Sequence, residues 1–293
     1  MKVRELARED LHRAAEFCER ARATDPAIEP FGTRLAAIAN GPRALLDLWR
    51  VAFRQEASIE GIAFVALREP RGQSPGEPAK ADFYAAVMPR FRRKGLGRAL
   101  CEPALHWAGQ EGATLRARVH DGAVAGQAFL TELGFRHTSA QLVLTWSRPR
   151  IDESANTSVR VKKAVAGEAL PQLERLSRDA WAGEPDRLSS GSAELAQLSR
   201  EEGRLILFAE TGGSAVGYLS GFWLGKTLGI DEVAVLPECR RKGIGWALLR
   251  TSLREARNAV LSVAESNAPA RALYHSCGFT QSARRLVYEL PHG

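Results

Sequence analysis

The chain has 293 residues, of which 45 % are hydrophobic and 26 % charged, an ordinary composition for a globular protein of one large domain or two domains of usual size. No window approaches the roughly 18 apolar residues of a membrane span, and the start, MKVRELARED, lacks an apolar secretion signal, so we expect a cytoplasmic protein without membrane association. The net charge of +7 predicts attraction to polyanions, whereas Cys18, Cys101, Cys239 and Cys277 lack the spacing of a metal site.

The first half of the chain predicts strands and helices in alternation, because apolar residues recur first with period two and then with helical spacing. In chain order these are strands at 49–55, 61–69 and 81–87, a helix at 98–109, a strand at 114–119, a helix at 124–133 and a strand at 141–146. The Pro- and Gly-rich segment 68–80 predicts a long exposed loop.

The second half predicts the same succession. Its segments are a strand at 158–164, a helix at 168–181, strands at 204–210, 214–224 and 229–236, a helix at 245–257, a strand at 259–264, a helix at 269–277 and a strand at 284–290. Gly212 and Gly213 predict a tight hairpin turn, and Gly229 a bulge or splay. The polar stretch between the halves predicts a first domain at 1–148, a linker at 149–157 and a second domain at 158–293.

A basic, glycine-rich turn occurs in both halves, as VMPRFRRKGLGRALC at 87–101 and VLPECRRKGIGWALL at 235–249. Gly134–Phe135 in the first half likewise recurs as Gly278–Phe279, with a slightly shorter offset. Such a long period indicates two whole domains rather than a solenoid.

Each turn ends a strand and opens a helix, so unpaired backbone N–H groups converge on one spot beside three basic side chains. Gly243 and Gly245 allow close approach to a ligand and unusual dihedral angles. The turn therefore predicts a seat for a pyrophosphate, and the alternative is a basic helix start that meets only solvent. The ATP-type and dinucleotide glycine motifs are absent from the sequence.

The order Val-x-Pro-x-x-Arg-Arg-Lys-Gly-Ile-Gly, a helix, a strand, Asn267 and then ALYHSCGF resembles the GNAT superfamily of acyl-CoA-dependent N-acyltransferases. The resemblance covers both halves and is most specific from Ile230 to Phe279. It implies an α+β fold of two tandem domains, each a mixed, mostly antiparallel twisted sheet with helices on both faces. It also implies acetyl-CoA as co-substrate, no metal, and a splay between the fourth and fifth strands of each sheet.

The resemblance implies CoA contacts along the strand and the turn of the second half. These residues are Val233, Ala234, Val235, Arg240, Arg241, Lys242, Gly243, Ile244, Gly245, Trp246 and Asn267. Asn267 also suits a helix N-cap, since Pro269 follows it. The corresponding cradle of the first half consists of Val87, Arg92, Arg93, Lys94, Gly95, Leu96 and Gly97.

Acyl transfer to an amine requires a base for the ammonium proton and a proton donor for the departing thiolate. The resemblance implies Tyr274 as the acid, with a packed aromatic as the alternative, and Asp231 or Glu232 as the base. Strand alternation predicts that only one of these carboxylates faces the cleft, and the sequence does not decide which. Ser262 stands where some N-terminal acetyltransferases of the superfamily carry glutamate.

The first half departs from the pattern, with Leu130 at the place of the tyrosine, Ala123 at that of the asparagine, and Phe83 and Tyr84 at those of the carboxylates. We therefore expect a degenerate first domain that binds CoA structurally, binds another anion or is empty, and a catalytic second domain that acetylates a primary amine of a small molecule or a protein. This order of domains is similar to that of the mycothiol synthases.

Alternative hypotheses are a CoA-binding or regulatory protein without turnover and, on charge alone, a nucleic-acid-binding protein. No basic stripe with interleaved aromatic residues supports nucleic acid as a partner. Trp181, Asp186 and Trp223 are candidates for acceptor contacts, although core or surface roles are also open. Two fused copies can mimic a homodimer, so both a monomer and a homodimer are open.

Overall fold

The computed structural model of the protein describes residues 2–5, 10–25, 48–54, 58–67, 79–147, 159–164, 170–182 and 203–291. The chain forms two compact units. The first unit joins Met1–Ser139 to Arg285–Gly293, and the second unit is Ala140–Arg284. The predicted linker 149–157 and most of the predicted loop, residues 68–78, lie outside the described residues.

The first unit is built on a sheet with strand order β1-β2-β3-β4-β5, to which the end of β12 is added against β5. Only β4 and β5 run parallel among these pairs. Its elements are β1 (Lys2–Glu5), α1 (Leu11–Thr24), β2 (Leu48–Arg54), β3 (Ser58–Leu67), β4 (Lys80–Val87), a 3₁₀ helix (Pro89–Phe91), α2 (Leu96–Glu111), β5 (Thr114–His120), α3 (Val124–Glu132) and the start of β6 (Arg136–Ser147).

The second unit repeats this plan with strand order β7-β8-β9-β10-β11, to which β6 is added against β11. Here β10 and β11 are the parallel pair. Its elements are β7 (Arg160–Lys163), α4 (Leu170–Ala180), β8 (Arg204–Thr211), β9 (Ser214–Leu224), β10 (Thr227–Val235), a 3₁₀ helix (Pro237–Cys239), α5 (Ile244–Leu253), β11 (Asn258–Ala264), α6 (Ala268–Ser276) and the start of β12 (Thr280–Leu290).

The mixed sheets with flanking helices confirm the predicted α+β class and the tandem plan. Strand β6, the last strand of the first half of the sequence, belongs to the sheet of the second unit. Strand β12, the last strand of the second half, belongs to the sheet of the first unit. In β6, Gln141 pairs with Ala264 and Ser147 with Asn258, whereas in β12 Arg285 pairs with His120 and Leu290 with Leu115. The compact units therefore divide elsewhere than at 148–157, and the domain limits taken from the sequence stay a prediction.

The cores explain this exchange of strands, because each exchanged strand carries apolar residues into the unit that it joins. Leu142, Leu144 and Trp146 of β6 are buried in the core of the second unit. Tyr288 of β12 is buried in the core of the first unit, next to Leu115 and Ala117 of β5. Burial of such side chains contributes roughly 1.5–3 kcal/mol each.

Several predicted element limits shift in the structure. The helix predicted at 245–257 ends at Leu253, so α5 is shorter than its counterpart α2, which runs on to Glu111. This difference accounts for the slightly shorter offset between the two Gly-Phe pairs. The turn predicted at Gly212 and Gly213 is present, with both residues at positive φ.

Candidate functional site

The parallel strands of each unit separate at one end, where the sequence predicted a splay. In the second unit β10 and β11 pair only over Thr227–Ile230 and Asn258–Leu261, although both strands continue beyond these residues. In the first unit β4 and β5 pair only over Lys80–Phe83 and Thr114–Ala117. Each gap leaves strand-edge backbone groups next to the basic turn that follows β4 or β10.

The two basic turns, residues 92–97 and 240–246, have the same backbone. Arg93 and Arg241 adopt φ of +60° and +63°, and Gly95 and Gly243 adopt φ of +79° and +76°. The left-handed region costs a non-glycine residue roughly 1–2 kcal/mol, so both arginines are held in strain. Alternation of such residues turns successive N–H groups toward one point, which is the geometry of an anion-binding nest.

The helix that follows the second basic turn adds further donors. Its N-cap is Gly243, which has no side chain to bond the first N–H groups, and its first helical hydrogen bond joins Ala247 N–H to Gly243 C=O. The N–H groups of Ile244, Gly245 and Trp246 therefore point outward at the positive end of the helix dipole. In the first basic turn Gly95 is the equivalent N-cap of α2.

The three basic residues of each turn have different contacts. Arg240 donates to the carbonyls of Val235, at 3.2 Å, and Ala180, at 2.7 Å. Arg92 likewise donates to the Val87 carbonyl, at 2.9 Å, while its other end pairs with Asp25 at 2.7 Å. Arg92 thus connects the end of β4 to the C-terminus of α1, and Arg240 connects the end of β10 to the C-terminus of α4. The sequence did not predict this structural role.

The lysines fold back as well. Lys242 Nζ donates to the Glu238 carbonyl at 3.0 Å, and Lys94 Nζ donates to the Arg90 carbonyl at 3.3 Å. Each lysine therefore caps the short 3₁₀ helix that precedes its turn.

The middle arginines of the two turns, Arg93 and Arg241, differ from the first arginines and from the lysines. They are exposed, and neither has a hydrogen-bond or ion-pair partner among the residues that the structure describes. A strained, exposed and unengaged arginine beside a helix N-terminus is well placed to bind a phosphate.

The second glycine of each turn serves helix packing. A Cβ on Gly245 would lie 2.9 Å from Leu273 Cδ2 of α6, and a Cβ on Gly97 would lie 3.2 Å from the Phe129 ring of α3. Gly245 therefore allows two helices to approach each other, and the close approach of a ligand to it stays a prediction.

A cavity of about 440 Å³ opens at the splay of the first unit. It lies against β4, the first basic turn, β5 and α3, and its wall is mostly apolar with arginines at the turn. The lining includes the predicted residues Val87, Arg92, Arg93, Gly95 and Gly97, together with Phe83, Tyr84, Arg118, Phe129 and Leu130. The first cradle therefore has room for an extended ligand with an anionic end.

The strand that enters the second basic turn is irregular at the predicted carboxylates. Ile230 pairs with Gly221 of β9 and Glu232 pairs with Ser220, so Asp231 is the extra residue of a β-bulge. A bulge locally breaks the alternation of side chains. Gly229, where the sequence predicted the irregularity, instead makes room for the Phe222 ring, which would stand 2.3 Å from a Cβ.

Both carboxylates contact partners on the same side of the sheet. Glu232 accepts a hydrogen bond from Tyr218 of β9, and Asp231 accepts one from Arg204 of β8. The strand registers place Arg204 beside Phe222 and Phe208 beside Tyr218, so Arg204 and Tyr218 project from one face. The alternation predicted for Asp231 and Glu232 does not hold here because of the bulge.

The hydroxyl of Tyr218 lies at the centre of a small buried network. Tyr218 and Ser177 of α4 are fully buried, and their hydroxyl oxygens lie 3.0 Å apart. Burial, and then the charge of Glu232 and the hydrogen bond to it, raise the pKa of Tyr218, while hydrogen bonds from Ser177 and Trp181 act in the opposite direction. The phenol therefore stays protonated at neutral pH and remains a donor to Glu232.

The predicted acid, Tyr274, lies on α6 and is largely buried. Its ring packs edge-on against Phe279, with centroids 5.9 Å apart, within the core of the second unit. Asn267 caps the same helix, because its Oδ1 accepts the Ala270 N–H at 3.1 Å. This bond leaves the side-chain NH₂ of Asn267 as a donor, so capping and a ligand contact are compatible.

The first unit has other residues at the matching places. Its helix α3 has Ala123 as N-cap without a side-chain bond and a buried Leu130 in place of a tyrosine. Strand β4 pairs with β3 without a bulge, and Tyr84 stacks on Phe64 with centroids 4.6 Å apart.

The acceptor candidates are less informative. Trp181 is half-buried after the end of α4, within the reach of Tyr218, while Trp223 follows Phe222 and so faces away from Glu232. Asp186 lies outside the described residues. In the described part of the chain, no group of three or more His, Cys, Asp or Glu side chains is arranged for a metal, and no helix is long and apolar enough to cross a membrane.

Sequence reasoning missed Tyr218, Ser177 and Arg204, which the fold brings to the carboxylates. The hairpin turn at Gly225 and Lys226 could have suggested that Phe222 and Ser220 lie next to β10. Without a bulge, however, the register counted from this turn pairs Ser220 with Asp231. The bulge moves Glu232 into that place, and the short sequence carries no signal for it.

Comparison with protein families shows a match to the acetyltransferase (GNAT) family over residues 48–135 and 170–279. The chain is also similar to curated mycothiol acetyltransferases. That of Thermobifida fusca is 26 % identical over 269 residues, covering 81 % of this chain and 80 % of the relative. That of Tsukamurella paurometabola is 30 % identical over 227 residues, covering 70 % of this chain and 76 % of the relative.

Solved structures show the same fold. A tandem GNAT protein from the clavulanic acid biosynthesis pathway matches with a TM-score of 0.73 and 19 % identity, covering 100 % of this chain and 98 % of its own. A GCN5-related N-acetyltransferase from Sphaerobacter thermophilus matches with a TM-score of 0.71 and 19 % identity, covering 99 % and 95 %.

Proposed function

Because the chain belongs to the acetyltransferase (GNAT) family and is therefore an acetyl-transferring enzyme whose family uses acetyl-CoA, we propose that its second unit acetylates a primary amine of a small molecule or a protein. The observation that carries this proposal is the position of Glu232, at a bulge where β10 leaves β11 and next to a strained basic turn. The first unit keeps the turn and lacks the carboxylate.

The second basic turn fits the CoA diphosphate. Arg241 has no partner among the described residues, and the N–H groups of Ile244, Gly245 and Trp246 point outward. Val233, Ala234 and Val235 lie past the last pair with β11, so their strand edge is open to a pantetheine arm. Bound here, acetyl-CoA supplies the acetyl group as an activated thioester.

The protein's own groups then have distinct tasks. Glu232 takes a proton from the acceptor ammonium, since an alkylamine with pKa about 10 is mostly charged at neutral pH. Tyr274 gives a proton to the departing thiolate, and a phenol is protonated before the reaction. Backbone N–H groups along β10 donate to the developing oxyanion. Asp231, held by Arg204, completes the polar wall beside Glu232.

The proposal is tested with purified protein, labelled acetyl-CoA and a panel of amines, including mycothiol in its free-amine form. In Tyr274→Phe we expect transfer to fall by roughly 100-fold or more, while folding is retained. The matched control is Tyr288→Phe, which removes a hydroxyl from a buried tyrosine of the first unit. Full activity in Tyr274→Phe would exclude this residue as the acid.

A second, narrower candidate is an acceptor of the mycothiol type. It is supported by the similarity to mycothiol acetyltransferases over most of both chains. A preference for the free-amine form of mycothiol over simple alkylamines in the same panel would support this acceptor, and equal use of all amines would oppose it.

For the first unit we propose a structural CoA site without transfer. Its cavity reaches from the splay to the first basic turn, and Arg93 is as unengaged among the described residues as Arg241. Calorimetry that finds two CoA sites per chain would support this proposal, whereas a single site abolished by Arg241→Ala would contradict it.

A further inference from the structure

One buried hydroxyl in the second unit contacts a group proposed to react. Tyr218 of β9 is fully buried, and its hydroxyl has three polar neighbours, namely the carboxylate of Glu232 on β10, the hydroxyl of Ser177 on α4 and the side chain of Trp181. A phenol has a single proton to donate. An ionised carboxylate can only accept, so Tyr218 donates to Glu232 Oε2 and accepts from Ser177.

The network has a fixed geometry because each member sits on a regular element. Tyr218 pairs with Ala234 and Ser220 pairs with Glu232, so Tyr218 and Glu232 are diagonal neighbours across two strands. Ser177 lies on the buried face of α4. The bond from Tyr218 engages Oε2 of Glu232 and so fixes the orientation of the carboxylate.

Comparison with the first unit indicates that the network is not part of the fold itself. Gly217 pairs with Val235 at the end of β10, and Gly61 pairs with Val87 at the end of β4, so Ile62 occupies the place of Tyr218. Tyr84 occupies the place of Glu232. The first unit builds the same strands and turn with neither the hydroxyl nor the carboxylate.

We propose that Tyr218 is a positioning residue for acetyl transfer, since its hydroxyl holds the Glu232 carboxylate in one orientation. The inference rests on the function proposed above. In the step that it serves, a proton moves from the acceptor ammonium to the Glu232 carboxylate, and the nitrogen keeps the electron pair that attacks the acetyl carbon. Tyr218 itself gives up no proton.

Other charged groups near this network have partners of their own. Asp231 pairs with Arg204 on the same face. On α4, Arg175 donates to the Ala215 carbonyl, and Arg240 reaches the last carbonyl of this helix, that of Ala180. The hydrogen bond from Tyr218 therefore acts on Glu232 directly, and a single substitution can remove it.

The first test uses the full-length chain and any amine of the panel that the wild type acetylates. In Tyr218→Phe we expect kcat to fall roughly tenfold to a hundredfold, because a hydrogen bond to a charged group is lost. The KM for acetyl-CoA should not change. Since the charged carboxylate loses a donor, the acidic limb of the kcat/KM profile should move to higher pH. Tyr288→Phe is the control and should match the wild type.

A second measurement does not depend on turnover. The carboxyl carbon of Glu232 is assigned in a carbon-13 spectrum by its loss in Glu232→Gln, and its titration is compared between the wild type and Tyr218→Phe. A higher pKa in the variant supports the inference. An unchanged pKa, or an unchanged pH profile with full kcat, would overturn it, even if acetyl transfer itself is found. If no amine is acetylated, the proposed function fails, and the titration still decides the role of Tyr218.

Ser177→Ala provides a graded check, because it removes the donor to Tyr218 and leaves the bond to Glu232 in place. We expect the same direction of change in kcat and pH profile with a smaller size. Equal losses in both variants, together with weaker CoA binding, would indicate a general packing role and contradict the inference.

Discussion

The two units have matching backbone angles in their basic turns and differ in the strand that leads to the turn. Arg93 and Arg241 are strained alike, and Gly95 and Gly243 cap their helices alike. Strand β4 pairs with β3 without interruption, whereas β10 carries one extra residue, Asp231, at its bulge. The backbone of the basic turn thus persists when the side chains that surround it change.

The physical reason lies in what each feature requires. The seat needs two left-handed residues, a helix start and one arginine free of partners, and all of these follow from the local sequence of the turn. The acid–base site needs a register shift between strands and side chains from β8, β9 and α4. A few substitutions can therefore remove the acid–base site without disturbing the backbone of the turn.

The splay of the first unit differs in a further respect. Asp82 of β4 and Arg118 of β5 form a buried ion pair with 3.0 Å between Oδ1 and the guanidinium nitrogen. The matching residues of the second unit are Gly229, which makes room for Phe222, and Ser262. A buried ion pair thus lies in the first unit where the Phe222 ring fills the space in the second unit.

The largest effect is expected from Glu232→Gln, which removes the carboxylate whose place in the first unit is taken by Tyr84. The amide cannot take the ammonium proton, so transfer should fall by roughly 100- to 10,000-fold, with CoA binding unchanged. Steady-state rates and calorimetry check this pair of outcomes. Glu102→Gln, an exposed position on α2, is the control. Near-normal transfer in Glu232→Gln would mean that the difference between the two strands is irrelevant to the chemistry.

A smaller effect, on stability, is expected from Asp82→Asn in the first unit. The substitution leaves Arg118 buried without its anion, which costs about 3–5 kcal/mol. The midpoint of thermal unfolding should therefore fall clearly. Glu132→Gln serves as control, because Glu132 and Arg98 form a pair with both side chains more than half exposed, and such pairs contribute about 0–1 kcal/mol. Equal shifts in both variants would refute a structural role for the buried pair.

The smallest effect should come from removing one arginine from each seat. Arg93→Ala and Arg241→Ala should each weaken CoA binding at their own turn by about tenfold, since one charge-assisted hydrogen bond is lost. Because these arginines are exposed, the loss should shrink at high salt. Calorimetry at two salt concentrations measures both. Only Arg241→Ala should raise the KM for acetyl-CoA, and a rise in both variants would contradict the division of labour between the units.

Much of the fold could be predicted from the sequence, because its signals are local. The Gly212–Gly213 turn, the strand before each basic turn and the helix opened at Gly95 or Gly243 follow from residues close together in the chain. The length of α5 could not be predicted as well, since Arg254–Arg257 continue a helical pattern that the fold ends at Leu253.

The candidate site was predicted only in part. The sequence supplied Asp231, Glu232, Tyr274 and Asn267, and their roles stay predictions. It placed Arg92 and Arg240 among the CoA contacts, which stays a prediction, and the structure shows that their side chains donate to the Val87 and Val235 carbonyls. Two identical neighbours in a sequence, such as Arg240 and Arg241, cannot be told apart until their backbone angles are known.

The sequence by itself determined the repeat, the family resemblance and the backbone of the two basic turns, because a turn of basic and glycine residues specifies its own backbone within a few positions. Only the tertiary structure decided that β6 joins the sheet of the second unit and β12 that of the first. It also decided that a bulge brings Asp231 and Glu232 to one side, and that Tyr218 contacts both Glu232 and Ser177. These features depend on which distant strands pair and in which register. That choice is made by the burial of whole faces, to which any short segment contributes only a small part of the free energy.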